Sequence, residues 1–142
     1  MKVMFVCTGN ICRSAMAEAI FKDITDNIEV SSAGIFALDG EMASYNAIEV
    51  CKNHGLDLSA HKSTPIGDSD IEEMDLVLTA TVNHRDTLKG LYPQLNIYTI
   101  KEYAGYGDLD IADPYGYNMR VYENCFLEIK EALEKIQVNK SF

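Results

Sequence analysis

Val3-Met4-Phe5-Val6-Cys7-Thr8-Gly9-Asn10-Ile11-Cys12-Arg13-Ser14-Ala15-Met16 runs from an uninterrupted apolar stretch, through a short polar loop, into a helical pattern. Four consecutive apolar residues, Val3 to Val6, read as a strand buried on both faces of a parallel sheet. From Ser14 to Ile24, Met16, Ile20 and Ile24 recur at helical spacing, and Ala15, Ala17 and Ala19 favour helix throughout. The chain therefore opens strand, loop, helix.

Outward from this unit the alternation continues. A second strand is expected around Ile28 to Ser32, ending at Ala33-Gly34. Ala43, Ala47, Val50 and Cys51 then mark the inner stripe of a helix stopped by Gly55. Ser69 and Glu72 suggest a capping box before a short helix, and Leu76 to Thr79 reads as a third strand. Asn83 to Leu91 is helical, closed by Pro93, and Ile97 to Ile100 makes a fourth strand. The last helix carries Tyr122, Cys125, Phe126, Ile129, Leu133 and Ile136 on one face. Strands alternating with helices imply an α/β fold with right-handed crossovers, a parallel sheet covered on both sides, and function at the carboxyl ends of the strands. Lys101 to Asn118 lacks periodicity and is rich in Gly, Asp and Tyr, and so reads as a long functional loop.

With 142 residues, 47% of them apolar and 24% charged, the expectation is one globular domain spanning 1–142. The first apolar run is too short for a signal segment, and no stretch approaches the ~18 residues of a membrane-spanning helix, so a cytoplasmic protein is expected. A net charge of -10 argues against nucleic acid or anionic membrane as partner. The four cysteines, Cys7, Cys12, Cys51 and Cys125, show no zinc-ribbon or finger spacing, so neither metal nor structural disulfide is expected.

An anion would then be bound locally. Successive loop N–H groups leading into a helix N-terminus form a concave anion site, and Arg13 can add a planar, two-pronged contact to a phosphate. Gly9 would let the backbone turn tightly. Cys7, at the start of the loop, faces the same positive field, which favours the nucleophilic thiolate aimed at phosphorus. The spacing from Cys7 to Arg13 is only suggestive, and a buried strand-end cysteine with a surface arginine is the plain alternative. Ser14 serves either as a simple N-cap, as a donor to the Cys7 sulfur when a phospho-cysteine breaks down, or as both. Cys12 either fills space or rescues an exposed, oxidised Cys7 as a reversible disulfide.

Expelling a phenolate calls for a proton donor, and the long loop offers Asp108, Asp110 and Asp113. Asp113-Pro114-Tyr115-Gly116 is the most constrained of these, although Asp-Pro is also a common turn opener.

Val6 to Ser14, Ser32-Ala33-Gly34, His54-Gly55, Ser59, His61-Lys62 and Asp113-Pro114-Tyr115 together resemble the low-molecular-weight protein tyrosine phosphatases, and the match covers the whole chain. The resemblance implies a four-stranded parallel sheet with helices on both faces, a Rossmann-like arrangement of the phosphotyrosine protein phosphatase I type. It implies Cys7 as nucleophile, Arg13 as phosphate binder and Asp113 as acid then base, with Thr8, Gly9, Asn10, Ile11, Cys12 and Ser14 completing the phosphate loop. No metal or other cofactor is implied. A network of Asn10, Ser14, Ser32 and His61 would hold the loop in a strained form, whereas His61 read by itself is a surface histidine. Phe36 and Tyr115 match positions that flank the substrate ring. Two departures stand out: Ala15 where many relatives have Pro, and Ala112 where others have a second acid, leaving Asp113 to carry the proton alone or with Asp110. The implied partners are phosphotyrosine-containing proteins, with the enzyme a monomer or weak dimer.

Phosphoarginine phosphatases share the scaffold, with Thr where this chain has Ile11. A branched Ile11 should narrow the pocket against a guanidinium phosphate and pack on a phenyl ring, which favours phosphotyrosine. Arsenate reductases of this type need further cysteines after the third strand, and Thr79 to Leu91 contains none. The phosphocarrier domains that form phospho-cysteine lack the arginine and the Asp-Pro acid. A binding module with dead chemistry would be expected to lose Cys7 or Asp113.

Overall fold

A computed structural model describes all 142 residues. Strand β1 (Lys2–Cys7) is followed by helix α1 (Arg13–Ile24), β2 (Glu29–Gly34) and α2 (Tyr45–Asn53). Two short 3-10 turns, Ile66–Asp68 and Ile71–Glu73, then lead to β3 (Leu76–Thr79), α3 (Val82–Leu91), β4 (Ile97–Thr99), α4 (Ile100–Ala104) and α5 (Met119–Asn139). All four strands are parallel, in the order β2-β1-β3-β4. This is the α/β architecture expected from the alternation of strand and helix patterns.

Side-chain alternation along the central strand explains the two layers. Val3 and Phe5 face the larger core with Leu76 and Leu78, against Ala15, Met16, Ile20 and Phe21 of α1 and Phe126, Ile129 and Leu133 of α5. Met4 and Val6 face the opposite way, into a smaller core with Val77, Ile97, Leu88 and Ile71. Burial on both faces is why β1 reads as a continuous apolar run rather than an alternating one.

Four local expectations need correction. Ile100 does not extend β4; it begins α4, inside the segment that reads as loop. A full capping box starts this helix, Thr99 accepting from the Glu102 N–H while Glu102 accepts from the Thr99 N–H, and Gly105 ends it at φ 93°. Ser69 does not cap a helix: its hydroxyl donates to the Ile66 carbonyl, and only a 3-10 turn follows. Ser14 is not the cap of α1 either, since Cys12 occupies that position without a side-chain bond and Ser14 lies inside the helix. Nor does Gly9 supply the unusual turn, because a Cβ there would meet only Ile11 Cγ1, at 3.7 Å. The left-handed residue of the loop is Asn10, at φ 58°.

At the carboxyl edge of the sheet Cys7 lies in register with Gly34. A Cβ on Gly34 would stand 2.6 Å from the Thr8 carbonyl oxygen and 2.9 Å from the Asn10 nitrogen, so only glycine lets the loop after β1 settle against β2.

Candidate active site

The loop Thr8–Cys12 joins β1 to α1, and none of its backbone N–H groups donates to a protein acceptor. Together with the positive end of α1 they form a concave set of free donors. The cavity beside the loop holds about 180 Å³ and is lined by Cys7, Thr8, Gly9, Ile11, Cys12, Arg13, Asp113 and Tyr115. Cys7 is only 2% exposed, a correction to the expectation of an exposed thiol. Two donors converge on its sulfur: the Ser14 hydroxyl at 3.0 Å and the Ser14 N–H at 3.5 Å. Such donors stabilise negative charge on sulfur, whether it attacks or departs.

Asn10 organises the loop. It is fully buried, and its Nδ2 donates to Ser14 Oγ at 2.8 Å and Ser32 Oγ at 2.9 Å. Its Oδ1 accepts from the Thr64 N–H at 3.0 Å, and its carbonyl accepts from His61 Nε2 at 2.7 Å. With the Ser14 oxygen already accepting from Asn10, the Ser14 proton is directed at Cys7. His61 is thus no surface residue by function, since it holds the backbone at the one left-handed position of the loop.

The Arg13 guanidinium is buried beneath the cavity. Its Nη1 donates to the Ile111 carbonyl at 2.8 Å, Nη2 lies 3.7 Å from Asp113 Oδ2, and Nε has no hydrogen-bond partner. A buried unpartnered donor is costly unless something arrives to accept from it. Asp113 divides its two oxygens: Oδ1 accepts from the Tyr115 N–H, shaping the turn, while Oδ2 faces Arg13. Asp113 thus shapes its turn and also lines the cavity beside Arg13. Asp110 is committed elsewhere, accepting from the Val82 N–H at the start of α3, and Asp108 pairs with Lys101.

Tyr115 lines the cavity, whereas Phe36, 80% exposed, does not; its N–H donates to the Thr8 carbonyl and only its backbone joins the site. Cys12 points away from the anion cradle toward Ser44 (3.2 Å) and Tyr122 (3.3 Å), and burial pushes its thiol up. Burial likewise pushes Cys51 and Cys125 up to about 12.

Four contributors lie outside the residues that the sequence singles out. Ile111 anchors Arg13 through its backbone, Thr64 donates to Asn10, and Glu18 accepts from the Ser32 hydroxyl at 2.5 Å. His84, on α3, bonds Thr8 at 2.8 Å. Glu18 alone had a clue, lying four residues past Ser14 on one face of α1.

Comparison with known proteins bears on this arrangement. Residues 2–141 match the family described as low molecular weight phosphotyrosine protein phosphatase. The low molecular weight protein-tyrosine-phosphatase PtpB of Staphylococcus epidermidis is 35% identical over 138 residues, covering 96% of this chain and 97% of its own. A protein-arginine-phosphatase of Bacillus subtilis is also 35% identical, over 142 residues, with 96% and 94% covered. Among solved structures, the low molecular weight protein tyrosine phosphatase from T. tengcongensis matches with a TM-score of 0.90 at 40% identity, covering 98% of this chain and 99% of that one. A YwlE mutant from Bacillus subtilis matches with a TM-score of 0.93 at 33% identity, covering 100% and 99%. A cradle of free N–H groups at the sheet's carboxyl edge, on a fold shared along nearly the full length, makes this chain a member of the low molecular weight phosphotyrosine protein phosphatase family and a phosphoric monoester hydrolase.

Proposed function

We propose that this chain, acting as one domain over 1–142, hydrolyses phosphotyrosine in protein substrates through a phospho-cysteine at Cys7. The observation that carries the reading is the buried Arg13 fork, with Nε unpartnered, at a cavity that it shares with Cys7 and with Thr8, Gly9, Ile11 and Cys12, whose N–H groups have no protein acceptor. The phosphoryl oxygens accept from those N–H groups and from Arg13, which holds phosphorus in line with the sulfur. Cys7 attacks, the phenolate departs, and Asp113 protonates it. Ser14 supports sulfur as the leaving group while Asp113, now a carboxylate, draws a proton from the attacking water. The products are tyrosine and inorganic phosphate.

Ile11 and Tyr115 support an aryl substrate, since both line the cavity and give a flat ring apolar walls. The similarity to a protein-arginine-phosphatase makes phosphoarginine the alternative. Two finer features belong to this proposal. The enzyme works in the cytoplasm as a monomer or weak dimer. No helix of the chain is long and apolar enough to cross a membrane. Oxidation of Cys7 is reversible through a disulfide to Cys12.

The test is Asp113→Asn. It should slow cleavage of aryl phosphates with poor leaving groups by ~10²–10⁴ and those with stable phenolates far less, and it should accumulate phospho-cysteine. If Asp110→Asn shows this dependence and Asp113→Asn does not, the acid is misassigned. Turnover by Cys7→Ser would sink the covalent step. Turnover on phosphoarginine peptides exceeding that on phosphotyrosine peptides would replace the substrate.

A further inference from the structure

His84 sits on the first turn of α3, 8% exposed, wedged between two threonines. Thr81 caps the helix, its Oγ1 accepting from the His84 N–H at 3.2 Å. The same oxygen lies 2.9 Å from His84 Nδ1, and Nε2 lies 2.8 Å from Thr8 Oγ1. One direction of proton donation runs through all of these contacts. The Thr81 hydroxyl already accepts at the cap and has its proton free for Nδ1. The imidazole then carries its own proton on Nε2 and gives it to Thr8. With the Thr8 oxygen accepting, and no protein acceptor taking its hydroxyl proton, that proton is left for the cavity that Thr8 lines.

We infer that Thr81, His84 and Thr8 form a relay that aims the Thr8 hydroxyl proton into the cavity as an additional donor to the phosphoryl oxygens, with His84 as a positioning residue. The inference rests on the phosphate site proposed above. It adds a side-chain hydroxyl to the loop N–H groups and Arg13 as a donor to the phosphoryl oxygens. The relay needs a neutral ring, because an imidazolium cannot accept from Thr81. Burial, and next the Arg13 guanidinium, push His84 down to about 4, against the opposing pull of Asp110 and Asp113. The ring is therefore uncharged near neutral pH.

The bland account of the same contacts is that His84 merely tightens the start of α3. The two accounts separate in a cycle read by inhibition with inorganic phosphate. Thr8→Val should weaken phosphate about tenfold, and Thr8→Ser should stay near the parent. His84→Asn reaches Thr81 but not Thr8, and should weaken phosphate about as much as Thr8→Val. The double variant should then be no worse than either single. His84→Gln restores a donor near the Nε2 position and should recover most of the loss, even if His84→Asn folds poorly. Melting temperatures are recorded alongside, and a helix-capping role would lower these without moving the phosphate constant. If Thr8→Val costs the same with and without His84, or nothing in the parent, the relay is overturned. Arg13→Lys separates this failure from that of the site. A loss of phosphate binding in Arg13→Lys with none in Thr8→Val sinks the relay alone, whereas no loss in either sinks the anion site itself.

Discussion

Replacing Asn10 by alanine should unfold the phosphate loop before it unfolds the protein. The side chain is fully buried and makes three hydrogen bonds, two from Nδ2 to Ser14 and Ser32 and one from the Thr64 N–H to Oδ1. The first two are neutral bonds worth about 1 kcal/mol each, and removing Oδ1 leaves the Thr64 N–H without its acceptor, at about 1–3 kcal/mol. Alanine at φ 58° adds about 1 kcal/mol of backbone strain. The total, about 4–6 kcal/mol, is a large share of the 5–15 kcal/mol typical of a domain. Urea unfolding in phosphate-free buffer should show that loss as a lower midpoint with an unchanged slope. Asn10→Gly, which tolerates the backbone angle, should recover about 1 kcal/mol of it. Both variants should lose turnover more severely than stability, because the Ser14 hydroxyl is no longer aimed at Cys7. A cost under about 1 kcal/mol, or a near-normal kcat in Asn10→Ala, would refute the view that this residue holds the loop.

Gly34→Ala should lower both stability, by about 1–3 kcal/mol, and kcat, because its Cβ would press on the backbone of Thr8 and Asn10 rather than on a flexible side chain; a fully active Gly34→Ala would show that the loop can shift without harm. For His84 the folded value of about 4 lies below the ordinary 6.5, so the unfolded chain takes up this proton first. The stabilisation is complete above pH 6.5 and is lost as pH falls toward 4, on the order of 3 kcal/mol in all. Unfolding midpoints measured from pH 7 to pH 4 should show that slope in the parent and a shallower one in His84→Gln. Peroxide should convert Cys7 to a sulfenic acid, which the Cys12 thiol attacks with loss of water. Cys12→Ser should therefore recover less activity on dithiol treatment, and equal recovery in both proteins would leave Cys12 a packing residue.

The strands and the last helix were legible because their signals are local. β3 has the bounds its apolar run suggests, and the face of α5 from Tyr122 to Ile136 is buried as its 3.6-residue period requires. α4 is hidden in the sequence although Thr99 and Glu102 spell a capping box, because five residues are too few to show a period among Gly, Asp and Tyr. Within the site, the loop residues announced themselves by type and spacing. Their supports did not. Ile111 acts through a carbonyl and Thr64 through an N–H, atoms that every residue has, so no residue type could have marked them. Gly9 and Asn10 exchanged roles for a related reason: asparagine tolerates the left-handed region when its amide is fully engaged, and only the tertiary bonds to Ser14, Ser32 and Thr64 reveal that it is.

The unpartnered Nε of Arg13 has a consequence for how the enzyme lives between turnovers. An idle site carries a desolvated cationic donor, and inorganic phosphate, the reaction's own product, relieves it. Phosphate at a hundred times its dissociation constant would raise the unfolding free energy by about 2.7 kcal/mol while occupying the catalytic cradle. Durability and availability are then opposed: the phosphate concentration around the enzyme sets how much of it is sheltered and how much is at work, and phosphate-free buffer should leave it both most active and easiest to unfold.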